Sequence, residues 1–290
     1  MSDPEPPFAD DWPARLAGAV DFMRRRLAGD FDVDPETGFD PELNSAVFMP
    51  AARALYQNWF KVQMRGLENV PARGAALVVA NHSGVLPLDA LMLQVGVLDN
   101  HPAGRNLRLL GADLVYSLPL LGRLARASGH VPANPEEAER LLNAGELVGV
   151  FPEGFKGIGK PFASRYRLQR FGRGGFARLA LRLGVPMVPC AIVGAEEIYP
   201  MIADWPELAE RLKLPYFPIT PLFPWLGPVG AIPLPSNWMI EFCDPVPTDG
   251  FTPDQCEDED VIAELAAKVK DVIASKIDEL LAERGPAFGG

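Results

Sequence analysis

The sequence predicts an α/β fold: a mostly parallel central sheet flanked by helices, with extra N-terminal helices and a long C-terminal helix. Three observations carry this. Continuous apolar runs recur through the middle of the chain, helical segments fall between them, and the last stretch places apolar residues at helical spacing.

In order along the chain, residues 12–27 and 41–57 read as helices. The linker between them, "GDFDVDPETGFD", carries Asp30, Asp32 and Asp34, but Pro35 stands where a calcium loop needs Gly, so it reads as solvated. Phe60, Val62 and Met64 alternate with polar residues as a first strand does. The runs "AALVVA" at 75–80, "LRLLG" at 107–111, "LVGVF" at 147–151 and "MVPCAIVG" at 187–194 lack alternation, which suits strands covered on both faces. Helical segments span about 87–96, 116–128, 135–144 and 172–183, and "WMIEF" at 238–242 reads as a further strand. Ile262, Leu265, Val269, Ile273, Ile277 and Leu280 mark one face of the C-terminal helix. Residues 1–57 form an N-terminal helical extension in this reading, and residues 58–290 the main domain.

Composition excludes several functions. With 48% apolar and 22% charged residues the chain can bury a sizeable core. A formal charge of −11 argues against nucleic-acid binding, which draws on clustered Lys and Arg. It also confines any membrane contact to a local patch. Cys190, Cys243 and Cys256 are scattered and have no metal-ligand spacing, which fits a reducing cytoplasm. The opening "MSDPEPPFADDWP" is wrong for a signal peptide. The longest uncharged stretch, 214–240, is broken by prolines and cannot form a spanning helix.

The chemistry gathers at strand ends, where ligands of open α/β sheets bind. "NHSGVLPLD" at 81–89 follows a buried run and places His82 near Asp89. On a continuous helix residues seven apart stand about 10 Å apart along the axis, too far to bond. Gly84 permits a tight turn, however, and Pro87 suits a helix start, so Asp89 falls in the first turn and the loop can bring it back to His82. A carboxylate on one ring nitrogen leaves the other to take a proton from a substrate hydroxyl. Ser83 cannot be assigned a nucleophile's role, and no G-x-S-x-G elbow is present. His101 and His130 read as surface or structural.

"NHSGVLPLD", then "FPEG" at 151–154, then "VPMVPCAIVG" at 185–194 resemble, in order, the motifs of the glycerolipid acyltransferase family, which includes the lysophosphatidic acid acyltransferases. The resemblance covers about 60–245. It implies acyl transfer from a thioester, acyl-CoA or acyl carrier protein, to a lipid hydroxyl, with His82 as base and Asp89 as its orienter. No metal or bound cofactor is implied. The pattern departs from the family twice. The usual spacing H-x-x-x-x-D is lengthened here, and Ala133 falls about where the second motif carries a phosphate-binding arginine.

The family match also gives Glu153 and Gly154 a place in the acceptor site, Glu153 by accepting hydrogen bonds from substrate hydroxyls. From 155 to 195 the chain is basic, with Lys156, Lys160, Arg165, Arg167, Arg170, Arg173, Arg178 and Arg182. Arg178 and Arg182 read as a solvated helix face. Lys156, Arg165, Arg167, Arg170 and Arg173 are the candidates for donor or acceptor phosphate. Phe217, Phe223, Trp225 and Trp238 of the proline-rich segment are expected to meet lipid or roof an acyl tunnel, making the protein a peripheral one at the inner membrane face. Two rivals remain: a non-catalytic lipid-binding or transfer protein, and a thioesterase or lipid hydrolase.

Overall fold

The computed structural model describes residues 12–34, 38–112, 115–116 and 119–287. The opening eleven residues and Pro35, on which the signal-peptide and calcium-loop readings rest, lie outside them.

Helix α1 (Trp12–Ala28) is followed, after exposed residues 29–34, by a helical run, α2, formed by Pro41–Leu43, Asn44–Phe48, Met49–Ala54 and Leu55–Trp59. Asp40 caps the run through Leu43 N and pairs with Arg26 of α1. Met49, Ala52 and Tyr56 then enter the main core. The first strand is shorter than its alternation suggested: β1 is only Gln63–Arg65, and Phe60 is instead a fully buried residue just past α2.

The remaining elements are β2 (Ala76–Ala80), α3 (Leu88–Asn100), β3 (Leu107–Gly111), α4 (Pro119–Ala127), β4 (Val131–Pro132), α5 (Pro135–Asn143), β5 (Leu147–Val150) and α6 (Phe155–Ile158). They continue with α7 (Gly175–Leu183), β6 (Met187–Val193), β7 (Ala203–Asp204), α8 (Pro206–Leu212), β8 (Pro218–Ile219), β9 (Met239–Phe242), α9 (Pro253–Glu257) and α10 (Glu259–Glu283). Seven strands form one sheet in the order β1-β9-β6-β2-β5-β3-β4, parallel throughout except where β9 meets β6. Every residue of β2 and of β6 is buried, as runs without alternation require.

One face of the sheet is covered by α2 and α3, the other by α5, α7 and α10. The six apolar residues expected on the C-terminal helix are all buried, and Asp258 caps its start. Among the described residues no helix is long and apolar enough to cross a membrane.

Candidate active site

β2 ends in the middle of the sheet, and Asn81 makes the exit from it. Its side chain continues the ladder where the backbone leaves: Nδ2 donates to Ile192 O at 3.0 Å and Oδ1 accepts from Ile192 N at 2.7 Å. Gly84 then turns at φ +82°, with Ala195 O only 3.1 Å from where a Cβ would stand. Pro87 precedes α3, and Asp89 lies in its first turn. The loop thus closes the pair that the sequence placed seven positions apart: His82 Nδ1 and Asp89 Oδ2 are 2.7 Å from each other.

Asp89 is fully buried and collects two further donors, Ser83 N on Oδ2 and Ala90 N on Oδ1, each at 2.8 Å. A carboxylate taking backbone N–H groups acts as acceptor toward the ring as well, so Nδ1 carries the proton and Nε2 the lone pair. The ring stacks on Phe151 at 4.4 Å between centroids. His82 lines a cavity of about 480 Å³ whose described walls carry no Lys, Arg, Asp or Glu.

Beside the histidine loop and residues in and around α4, the walls come from three further strand ends and a cover. Gly154 and Phe155 follow β5, Leu109 to Ala112 end β3, and Ala133 follows β4. Gly154 adopts φ 54°, ψ −143°, a conformation open essentially to Gly. The cover is the proline-rich segment, including Tyr216, Phe217 and Phe223. Tyr216 Oη donates to Val85 O at 2.6 Å, which fastens the cover to the histidine loop.

Both oxygens of Glu153 are taken up by the protein's own backbone. Its side chain is 0% exposed, Oε1 accepts from His82 N at 3.0 Å, and Oε2 accepts from Gln169 N at 2.6 Å. It braces the backbone of the histidine. An acid at a strand end looks the same in sequence whether it faces a ligand or a neighbouring loop. Gly157 was missed for a related reason: a Cβ there would lie 2.8 Å from Glu153 Cβ and 2.9 Å from His82 O, a contact that only the folded chain creates.

The basic segment divides. Lys156, Arg165, Arg167, Arg170 and Arg173 are all exposed, while Lys160 is buried. Arg178 pairs with Glu257 and Glu259, and Arg182 with Glu139, on the solvated face expected for them. His101 is structural, bonded to Val70 O and accepting from Ala103 N. His130 borders the cavity with Nε2 on Gln94 Oε1; burial, and then nearby Arg108, push it down to about 4. Trp238 does not belong to the lipid candidates: it is 0% exposed and stacks on Phe60 at 4.6 Å.

A buried strand pair flanking a His–Asp base, open to an apolar cavity, is an arrangement suited to acyl chemistry, and the comparisons agree. A model of the Acyltransferase family matches residues 61–193. That stretch, just under half of the chain, carries the family's domain. A Mycobacterium tuberculosis protein described as uncharacterized is 54% identical over 278 residues, which cover 96% of this chain and 77% of that one. The 1-acyl-sn-glycerol-3-phosphate acyltransferase BAT2 of Brassica napus is 26% identical over 153 residues, 49% of this chain and 40% of that one. The crystal structure of the 1-acyl-sn-glycerophosphate acyltransferase PlsC from Thermotoga maritima superposes with a TM-score of 0.56 at 20% identity, over 93% of this chain and 91% of that one. At that identity it establishes the shared fold.

Proposed function

We propose that the chain transfers a fatty acyl group from a thioester, acyl-CoA or acyl carrier protein, to a hydroxyl of a glycerolipid, with lysophosphatidic acid or another lysophospholipid as acceptor. The observation that carries this is the closed His82–Asp89 pair at the wall of an apolar cavity. Nε2 takes the proton of the acceptor hydroxyl, whose oxygen attacks the thioester carbonyl carbon. The C–S bond breaks, the imidazolium returns its proton to sulfur, and an ester and a free thiol result. The exposed Lys156, Arg165, Arg167, Arg170 and Arg173 are the groups available to a phosphate of donor or acceptor.

The lengthened His–Asp spacing is the feature that favours a non-catalytic lipid-binding or transfer protein. The loop absorbs that spacing and brings the pair to 2.7 Å, which supports the catalytic reading. The acceptor reaches the cavity from a bilayer on which the cover rests: Trp225, Leu226, Val229 and Ile232 are 69%, 53%, 60% and 53% exposed within an uncharged segment. The deciding measurement is thiol release from long-chain acyl-CoA and from acyl carrier protein, with and without lysophospholipid. Release is expected only with acceptor, and His82→Ala should lower it by about 10²–10⁴-fold. Release that needs no acceptor would make the protein a thioesterase; none with any donor would restore the lipid carrier. Vesicle flotation of Trp225→Ser beside wild type tests the bilayer contact, and equal flotation would refute it.

A further inference from the structure

Glu153, the brace behind His82, is itself held by a buried cation. Strands β5, β2 and β6 lie side by side, and just past their ends stand Glu153, His82 and Glu196. Lys160 Nζ sits 2.9 Å from Glu196 Oε1 and 3.6 Å from Glu153 Oε2, so one ammonium spans the two strand ends that flank the histidine. It also donates to Arg167 O at 3.3 Å. The side chains of Lys160, Glu153 and Glu196 are 3%, 0% and 4% exposed, too enclosed for water to serve in place of a counter-charge. A second buried pair, Arg284 with Glu197, lies next to this one but contacts neither Glu153 nor His82 among the described bonds.

We propose that Lys160 is a positioning residue for the base. Its ammonium stands over Glu153 Oε2 and holds that side chain in place, one oxygen accepting the N–H of His82 and the other that of Gln169. Without the ammonium the Glu153 side chain loses its anchor toward Glu196, and a turn of that side chain would move the backbone of His82 and its imidazole against the cavity wall. Glu196 is the far anchor that holds the ammonium in place; Tyr166 N donates to the same Oε1 at 3.0 Å. The inference rests on the acyl-transfer reading for its kinetic arm alone.

The experiment compares Lys160→Met, Glu153→Gln, their double variant and Arg284→Met in the full-length protein. Lys160→Met and Glu153→Gln are each expected to lower kcat by about 10- to 100-fold with KM for both substrates unchanged, and the double variant to be no worse than the poorer single, because the two act on one device. Arg284→Met, which breaks a buried pair outside the device, is expected to lower Tm and keep kcat. Should Lys160→Met fail to fold, Lys160→Met/Glu196→Gln, which removes one charge of each sign, is expected to show the same loss of kcat. The proton between His82 and Asp89 gives a readout free of turnover: its low-field NMR resonance, assigned by its loss in His82→Ala, should shift or broaden in Lys160→Met and stay put in Arg284→Met. An unchanged kcat and resonance in Lys160→Met would overturn the proposal, as would an equal kcat loss in Arg284→Met. A resonance that follows Lys160 in a protein without acyl transfer would leave the positioning role standing and remove the acyl-transfer reading.

Discussion

The histidine loop and the Lys160 clasp both hold His82, one from within and one from across the sheet. Asp89 is seven residues from the ring it orients, and the turn at Gly84 with the start of α3 suffices to bring them together. Glu153 is 71 residues from the N–H it receives, and Lys160 is 36 residues from Glu196. The first device therefore depends on local turn chemistry and the second on the order of strands β5-β2-β6. In both buried carboxylates each oxygen is bonded to a protein donor. They differ in what they fix, since Asp89 sets the tautomer of the ring and Glu153 sets the backbone from which the ring hangs.

The largest expected effect breaks the local device. Asp89→Asn puts an NH₂ in place of one of the two oxygens that three donors now share, and with the NH₂ on the ring's side the ring must turn or take the wrong tautomer. Steady-state assays should show kcat lower by about 10²–10⁴-fold with the fold intact by circular dichroism. An intermediate effect strikes where the two devices meet. Gly157→Ala drives a Cβ into Glu153 and the His82 carbonyl. It should cost about 1–3 kcal/mol in denaturant unfolding, and kcat should fall roughly 10-fold, since displacements near 1 Å already cost more. Unaltered kinetics would mean that His82 can shift without consequence.

A smaller effect sharpens the comparison through pH. Burial pushes Glu196 up to about 7, against the opposing pull of Lys160. An acid with a raised folded pKa binds its proton more tightly in the folded state than in the unfolded one. Its contribution to stability is full below the usual carboxylate range and is lost as pH rises to about 7. Glu196→Gln should flatten the decline of stability between about pH 4.5 and 7 in chemical denaturation, and an unchanged slope would place the titration elsewhere. The smallest effect is a control: Arg178→Ala, on the solvated ion pairs with Glu257 and Glu259, should leave Tm and kcat where they are.

The legible parts of the molecule are those whose causes lie close together in the chain. Buried runs without alternation gave the strands β2, β3, β5 and β6, the apolar spacing gave α10, and Gly84 with Pro87 gave the geometry that joins His82 to Asp89. What stayed hidden depends on partners far away. Lys160 looks like any other member of a basic segment until Glu196 is brought beside it. Trp238 looks like Trp225, each in an uncharged stretch, until Trp238 N is seen bonded to Phe60 O and its ring stacked on that residue. Asn81 left the clearest unused trace, a polar amide closing an apolar strand, which signals a side chain completing the ladder.

The cover of the cavity is strung between β6 and β9, two strands that pair directly with one another. Its ends are thus pinned whatever lies between them. Between those ends Tyr216 donates to Val85 O and Trp59 to Pro233 O, while Tyr199 donates to Ala231 O within the segment itself. Such a segment is an interchangeable part. Between its fastenings, its length and apolar shape can vary without disturbing strand register, so the lining of the cavity can change while the strand ends that hold His82 stay in place.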